Sequence, residues 1–84
     1  MSYKITSTEA LRGILNSGVA RFNFKKKDGS IRNALGTRNV DLIPREDAPV
    51  QIYDLSKKAL VYWDLELGEF RSVSEGSEVG VAVL

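Results

Sequence analysis

The stretch Ala20-Arg21-Phe22-Asn23-Phe24-Lys25-Lys26-Lys27-Asp28-Gly29-Ser30-Ile31-Arg32 decides the fold. Ala20, Phe22 and Phe24 alternate with Arg21, Asn23 and Lys25, the period-two pattern of a half-buried strand with a basic outer face. Lys27-Asp28-Gly29-Ser30 reads as a hairpin turn, because Asp-Gly readily supplies the positive φ that such turns need. The return strand places Ile31, Asn33 and Leu35 on one face and Arg32 and Ala34 on the other. This alternation does not say which face is buried. The two strands are expected at 19–27 and 30–36.

Before this hairpin the sequence predicts a helix over 7–17. Thr6 and Glu9 have capping-box spacing, with Thr6 at the N-cap. Ala10, Leu11, Ile14 and Leu15 fall on one helical face. Gly18 can end the helix in the left-handed conformation. Gly13 costs the helix about 1 kcal/mol relative to Ala, unless close packing onto a sheet requires it.

After the hairpin, Asn39, Asp41, Pro44 and Pro49 break the pattern between Thr37 and Lys57. Val40, Leu42 and Ile43 are expected to anchor this connection as one helical turn, and Ile52-Tyr53 to extend the next strand. Strands follow at 58–66, 69–74 and 78–84, separated by turns at Glu66-Leu67-Gly68-Glu69 and Glu75-Gly76-Ser77. The expected fold is mainly β: an N-terminal α-helix followed by a five-stranded antiparallel small barrel, one domain over 1–84.

The 84 residues contain no cysteine and no histidine. Disulfides, thiolate metal sites, Cys nucleophiles and the usual general base are therefore excluded. The expectation is a protein that is not an enzyme and needs no cofactor or metal. No leader segment or membrane-length apolar run is visible, so a cytoplasmic protein without membrane contact is expected. The net charge of +1 conceals an asymmetry. Residues 1–45 carry nine Lys/Arg and three acids, while residues 46–84 carry three Lys/Arg and eight acids.

Phe22 to Arg32, then Leu42-Ile43-Pro44, then Val61-Tyr62-Trp63-Asp64 and Phe70-Arg71-Ser72-Val73 follow one recurring pattern. It resembles a family of short phage and prophage proteins described as Sm-like, SH3-type β-barrels and likened to WYL domains. The Lys-x-Asp-Gly-x-x-Arg and Trp-Asp…Phe-Arg-Ser hairpins carry the resemblance, which spans residues 8–84. Asn33-Ala34-Leu35-Gly36-Thr37 departs from the family's usual second strand. The resemblance implies an SH3/Sm-like barrel, a phage origin and an intracellular life in the host. At fold level it implies nucleic-acid or nucleotide binding and, as for Sm-like rings, a homo-oligomer.

The sharpest electrostatic feature is Lys25-Lys26-Lys27 with Arg21 and Arg32 on the same hairpin. If Arg21, Lys25 and Lys27 share one face, they form a ridge able to neutralise phosphates. The competing account is a solvated hairpin whose lysines discourage edge pairing. Tyr62 and Trp63 are adjacent on one strand and point to opposite faces, so one is expected in the core and the other exposed for base stacking. Asp64 and Arg71 are placed to pair across the second hairpin. The candidate nucleic-acid or ligand site is thus Arg21, Lys25, Lys27, Arg32, Tyr62, Trp63 and Arg71. The alternative is a protein-binding host-takeover or anti-defence factor. Its motivation is the charge asymmetry and the connection, with Arg45-Glu46-Asp47 at its exposed middle.

Overall fold

A computed structural model describes residues 2–54 and 59–83. Its core strands begin with the hairpin: β2 (Val19–Lys25) and β3 (Ile31–Thr37) pair antiparallel, with Phe22 opposite Ala34 and Phe24 opposite Arg32. The turn spans residues 26–30. Gly29 adopts φ +90°, and Asp28 Oδ1 accepts the Ser30 N–H at 2.9 Å. The strands β4 (Ala59–Asp64), β5 (Glu69–Ser74) and β6 (Glu78–Val83) follow in the expected order. The expected boundary residues 58 and 84 lie outside the described residues.

The sheet has six strands rather than five. The additional strand, β1 (Ser2–Ser7), pairs antiparallel with β6 along its whole length. It escapes a reading based on apolar alternation because it buries little: Ile5 is 65% exposed. The backbone ladder to β6, rather than side-chain burial, holds it in place. Sheet order is β1-β6-β2-β3-β4-β5. The β2 and β6 strands meet at Phe22–Val81, Asn23–Gly80 and Phe24–Val79, so the first hairpin and the last strand are neighbours.

Because Thr6 belongs to β1, opposite Val79, it cannot cap the helix. The N-cap of α1 (Thr8–Ser17) is Ser7, whose Oγ accepts the Ala10 N–H at 3.1 Å. The Thr6–Glu9 box is thereby corrected by one residue. Leu11 and Leu15 are fully buried, whereas Ile14 is largely exposed. Gly18 is extended, with φ 174°, and not left-handed. The last residue of β3 and the one after it satisfy the helix end instead. Thr37 Oγ1 lies 2.7 Å from the Gly18 carbonyl, and the Arg38 N–H donates to the Leu15 carbonyl at 2.8 Å.

The curled sheet and α1 enclose a core of Leu11, Leu15, Phe22, Phe24, Ala34, Leu60, Tyr62, Val73 and Val79. Tyr62 packs edge-on against Phe22, with centroids 5.0 Å apart. Its ring requires a glycine on the neighbouring strand: a Cβ at Gly36 would lie 2.6 Å from Tyr62 Cδ2. The inward face of β3 is therefore the Arg32/Ala34/Gly36 face, and Ile31 points outward, 59% exposed. Apolar content alone misjudges this strand because an arginine and a glycine occupy inward positions.

The connection covers the opposite face of β4. It contains a 3₁₀ turn at Val40–Leu42 and a π-helical turn at Val50–Asp54. Ile52-Tyr53 is thus helical and not a strand extension. Ile43, Ala48 and Ile52 pack with Trp63 in a second core, joined by Phe70 at a 5.0 Å centroid distance. Leu42, expected as an anchor, is instead 47% exposed.

Arg38 ties these parts together. It is buried, and its guanidinium donates to Asn16 Oδ1 at 2.9 Å, the Val61 carbonyl at 2.7 Å and the Ile52 carbonyl at 3.1 Å. It therefore joins the helix, β4 and the connection. Among the described residues no helix is long and apolar enough to cross a membrane.

Candidate nucleic-acid or ligand site

Two hairpins create the site by failing to meet. The β3–β4 pairing spans only Gly36–Asp64 and Thr37–Trp63, and β5 pairs with β4 alone. The β2–β3 tip consequently stands apart from the β5 edge, with a cavity of about 500 Å³ between them. Its walls carry Lys25, Lys26 and Lys27 from the first hairpin, Arg32 from β3, and Arg71 from β5. Ser72, Ser74 and Ser77 contribute hydroxyls, and Phe24 and Tyr62 lie at the apolar base. No described residue lining the cavity is acidic.

Register explains how two arginines reach an apolar face. Arg32 stands opposite Phe24, and Arg71 stands opposite Tyr62, so both alternate onto the face that carries the core. Each is steadied by one carboxylate. Arg32 Nη2 lies 3.5 Å from Asp64 Oδ2, and Arg71 pairs with Glu69. Asp64 is buried, and its Oδ1 accepts the Glu66 and Leu67 N–H groups, each at 2.9 Å. Asp64 therefore closes the β4–β5 turn and holds Arg32, and the expected Asp64–Arg71 pair is replaced by Asp64–Arg32.

At the base, Tyr62 Oη and Arg32 Nε are both shielded from solvent and make no hydrogen bond. Burial pushes the Tyr62 pKa up, and the Asp64 charge adds to the rise. Arg32 is near enough to oppose the shift, although the two groups do not meet in hydrogen-bond geometry. Tyr62 thus remains a neutral O–H donor at physiological pH.

The structure brings together Lys25, Lys27, Arg32, Tyr62 and Arg71 of the seven residues expected from sequence. It separates Arg21, which sits opposite Leu35 and 3.9 Å from Glu66. The single-face ridge of Arg21, Lys25 and Lys27 is therefore not formed: Lys25 and Lys27 turn into the cavity at the hairpin end. Trp63 lies on the other face in the second core and is 6% exposed. Neither Tyr62 nor Trp63 is an exposed stacking platform, because β4 is covered on both faces. Tyr62 contributes a hydroxyl instead. Lys26, the middle of the basic run, joins the site, and so do Ser72, Ser74 and Ser77, which carry no distinguishing sequence signal because only the gap between hairpins selects them.

The charge asymmetry largely folds in on itself. Arg12–Glu75, Arg21–Glu66, Arg32–Asp64 and Arg45–Asp47 each join a base from residues 1–45 to an acid from 46–84. Among the described residues Lys25, Lys26 and Lys27 make no such ion pair. Among the described residues the main cluster of bases outside ion pairs therefore lies at the cavity. No group of three or more carboxylates is placed to hold a metal ion among the described residues.

Residues 8–75 match the family model described as WYL_2, Sm-like SH3 beta-barrel fold. The chain is also 32% identical over 74 residues to a protein of Enterobacteria phage T4, covering 84% of this chain and 72% of the relative. That relative is described as an uncharacterized 11.5 kDa protein in the Gp31-cd intergenic region. No solved structure matches.

Proposed function

The chain belongs to the WYL_2 family of Sm-like SH3 β-barrels, and from that premise we propose that it is a non-enzymatic, phage-encoded module that binds nucleic acid or a nucleotide. The observation that carries this reading is the convergence of Lys25, Lys26, Lys27, Arg32 and Arg71 on one cavity with no acidic wall. Clustered cations in a concave, partly apolar site attract phosphates and strengthen their binding relative to open solvent. The module acts in the host cytoplasm on this reading. Titration of a labelled single-stranded oligonucleotide into the wild-type chain and a Lys25→Ala/Lys27→Ala variant tests it. Saturable binding that weakens in the variant is expected; no binding at low salt, or equal binding by both proteins, contradicts the reading.

A second reading, a host-protein partner, is favoured by the apolar side chains exposed on the connection. Leu42, Val50 and Tyr53 are 47%, 49% and 60% exposed. Retention of a single host protein on the immobilised chain after nuclease treatment, lost in a Tyr53→Ser variant, is its expected signature.

A further inference from the structure

We propose that the cavity base is a receptor for a phosphate monoester, so that the module takes a phosphorylated strand end or a free nucleotide rather than the interior of a strand. This rests on the nucleic-acid reading of the same cavity and specifies which part of the ligand enters it.

The base presents two donors that have nothing to donate to. Tyr62 Oη and Arg32 Nε are both buried and unpaired, although a buried polar group left without a partner is costly. They belong to side chains lining a cavity whose remaining polar residues are three lysines, Arg71 and three serines. Carboxylate and amide side chains, the usual acceptors, are missing from its described lining. A nucleobase edge offers donors as well as acceptors and would leave its own donors poorly matched here. A phosphate offers only acceptor oxygens and suits such a donor set.

Depth distinguishes a phosphate end from an internal diester. Tyr62 is fully buried and Phe24 is 8% exposed, so the Tyr62 hydroxyl sits at the bottom of the recess, with Arg32, its side chain 23% exposed, reaching from its wall. An internal diester carries chain on both sides and presents two free oxygens. A terminal monoester carries chain on one side, presents three, and reaches downward without dragging both flanks into the recess. Charge agrees with this. Arg32 and Arg71 are already matched by Asp64 and Glu69, which leaves the lysine triplet to balance the second negative charge of a monoester. Asp64 is a positioning residue here, because it holds Arg32 while its other oxygen closes the turn.

The test compares one single-stranded oligonucleotide in three forms: 5′-phosphorylated, 3′-phosphorylated, and hydroxyl at both ends. A nucleoside monophosphate and its nucleoside serve as competitors. A terminal phosphate at one or both ends should tighten binding at least about tenfold, the yield of one charge-assisted hydrogen bond. Tyr62→Phe should reduce that preference to below about threefold, with its fold checked by circular dichroism. The monophosphate should compete and the nucleoside should not. Competition equal to that of the phosphorylated strand assigns the free nucleotide as the source, and weaker competition assigns the strand end. Equal binding of all three oligonucleotides overturns this inference while leaving the nucleic-acid reading intact. Retention of the phosphate preference in Tyr62→Phe overturns the role given to the base. Binding of none of these probes overturns both readings.

Discussion

Arg32, on β3 outside the narrow seam where the two strands pair, lies 3.5 Å from Asp64, which belongs to that seam at the end of β4. One carboxylate thereby fixes a turn and aims a guanidinium at the cavity. Asp64→Ala should strip the Glu66 and Leu67 N–H groups of their acceptor and strand Arg32, costing about 2 kcal/mol. Asp64→Asn keeps the turn acceptor and should cost about half as much. Urea denaturation of the two variants beside wild type measures the difference, and equal losses would contradict the turn-closing role.

Binding in the cavity should carry the salt dependence of phosphate neutralisation. If the lysine triplet displaces about three counterions from a single strand, log affinity falls against log salt with a slope near −2. That corresponds to about a 20-fold loss between 50 and 200 mM salt. Lys25→Ala/Lys27→Ala should flatten the slope by more than half, and anisotropy titrations at several salt concentrations measure it. A slope unchanged in the variant would place the contacts elsewhere.

Tyr62→Phe should stabilise the unliganded chain by about 1 kcal/mol, because it removes a buried hydroxyl without a partner. The corresponding rise in Tm is about 5 °C for a domain of this size. The pH dependence follows from the same group. The folded pKa of Tyr62 lies above its ordinary value of 10.0, so folding favours the protonated form. Its contribution is fully present below that value, and is lost as pH rises through 10.0 toward the folded pKa. Wild type should therefore lose stability above this pH faster than Tyr62→Phe. Parallel alkaline melting curves for the two proteins would refute it.

Two glycines should respond in opposite directions to alanine. A Cβ at Gly13 meets nothing within 4 Å, so Gly13→Ala should stabilise the helix by about 1 kcal/mol. A Cβ at Gly36 meets the buried Tyr62 ring at 2.6 Å and the Trp63 carbonyl at 3.2 Å. Gly36→Ala should cost about 2 kcal/mol through overpacking. Thermal melts of both variants check the pair, and a shift of the same sign in each would contradict the packing described.

Local pattern made most of the fold legible. Phe22 and Phe24 alternate with polar residues, and Asp28-Gly29 closes a turn, so β2, β3 and their pairing follow from neighbours in sequence. Leu11 and Leu15 are spaced by one helical turn, and both are buried. The pattern failed where backbone bonds or distant partners replace burial. The β1 strand is held by its ladder to β6, and Ser7 caps the helix because Thr6 is committed to that ladder. Arg38 carries no sign in its neighbours that it will bond to Ile52 and Val61.

The sequence by itself determined the barrel class, the hairpins and the collection of basic residues, because these depend on periodicity, turn chemistry and composition along a few consecutive residues. Only the tertiary structure decided which residues form the cavity. Strand register turned Arg32 and Arg71 inward beside Tyr62, left Arg21 with Glu66, and sent Trp63 beneath the connection. It also folded much of the opposite charge of the two halves into ion pairs, leaving Lys25, Lys26 and Lys27 as the main cluster of bases outside them among the described residues. Those outcomes depend on which strands become neighbours and where they part, a relation between residues far apart in the chain that no local pattern encodes.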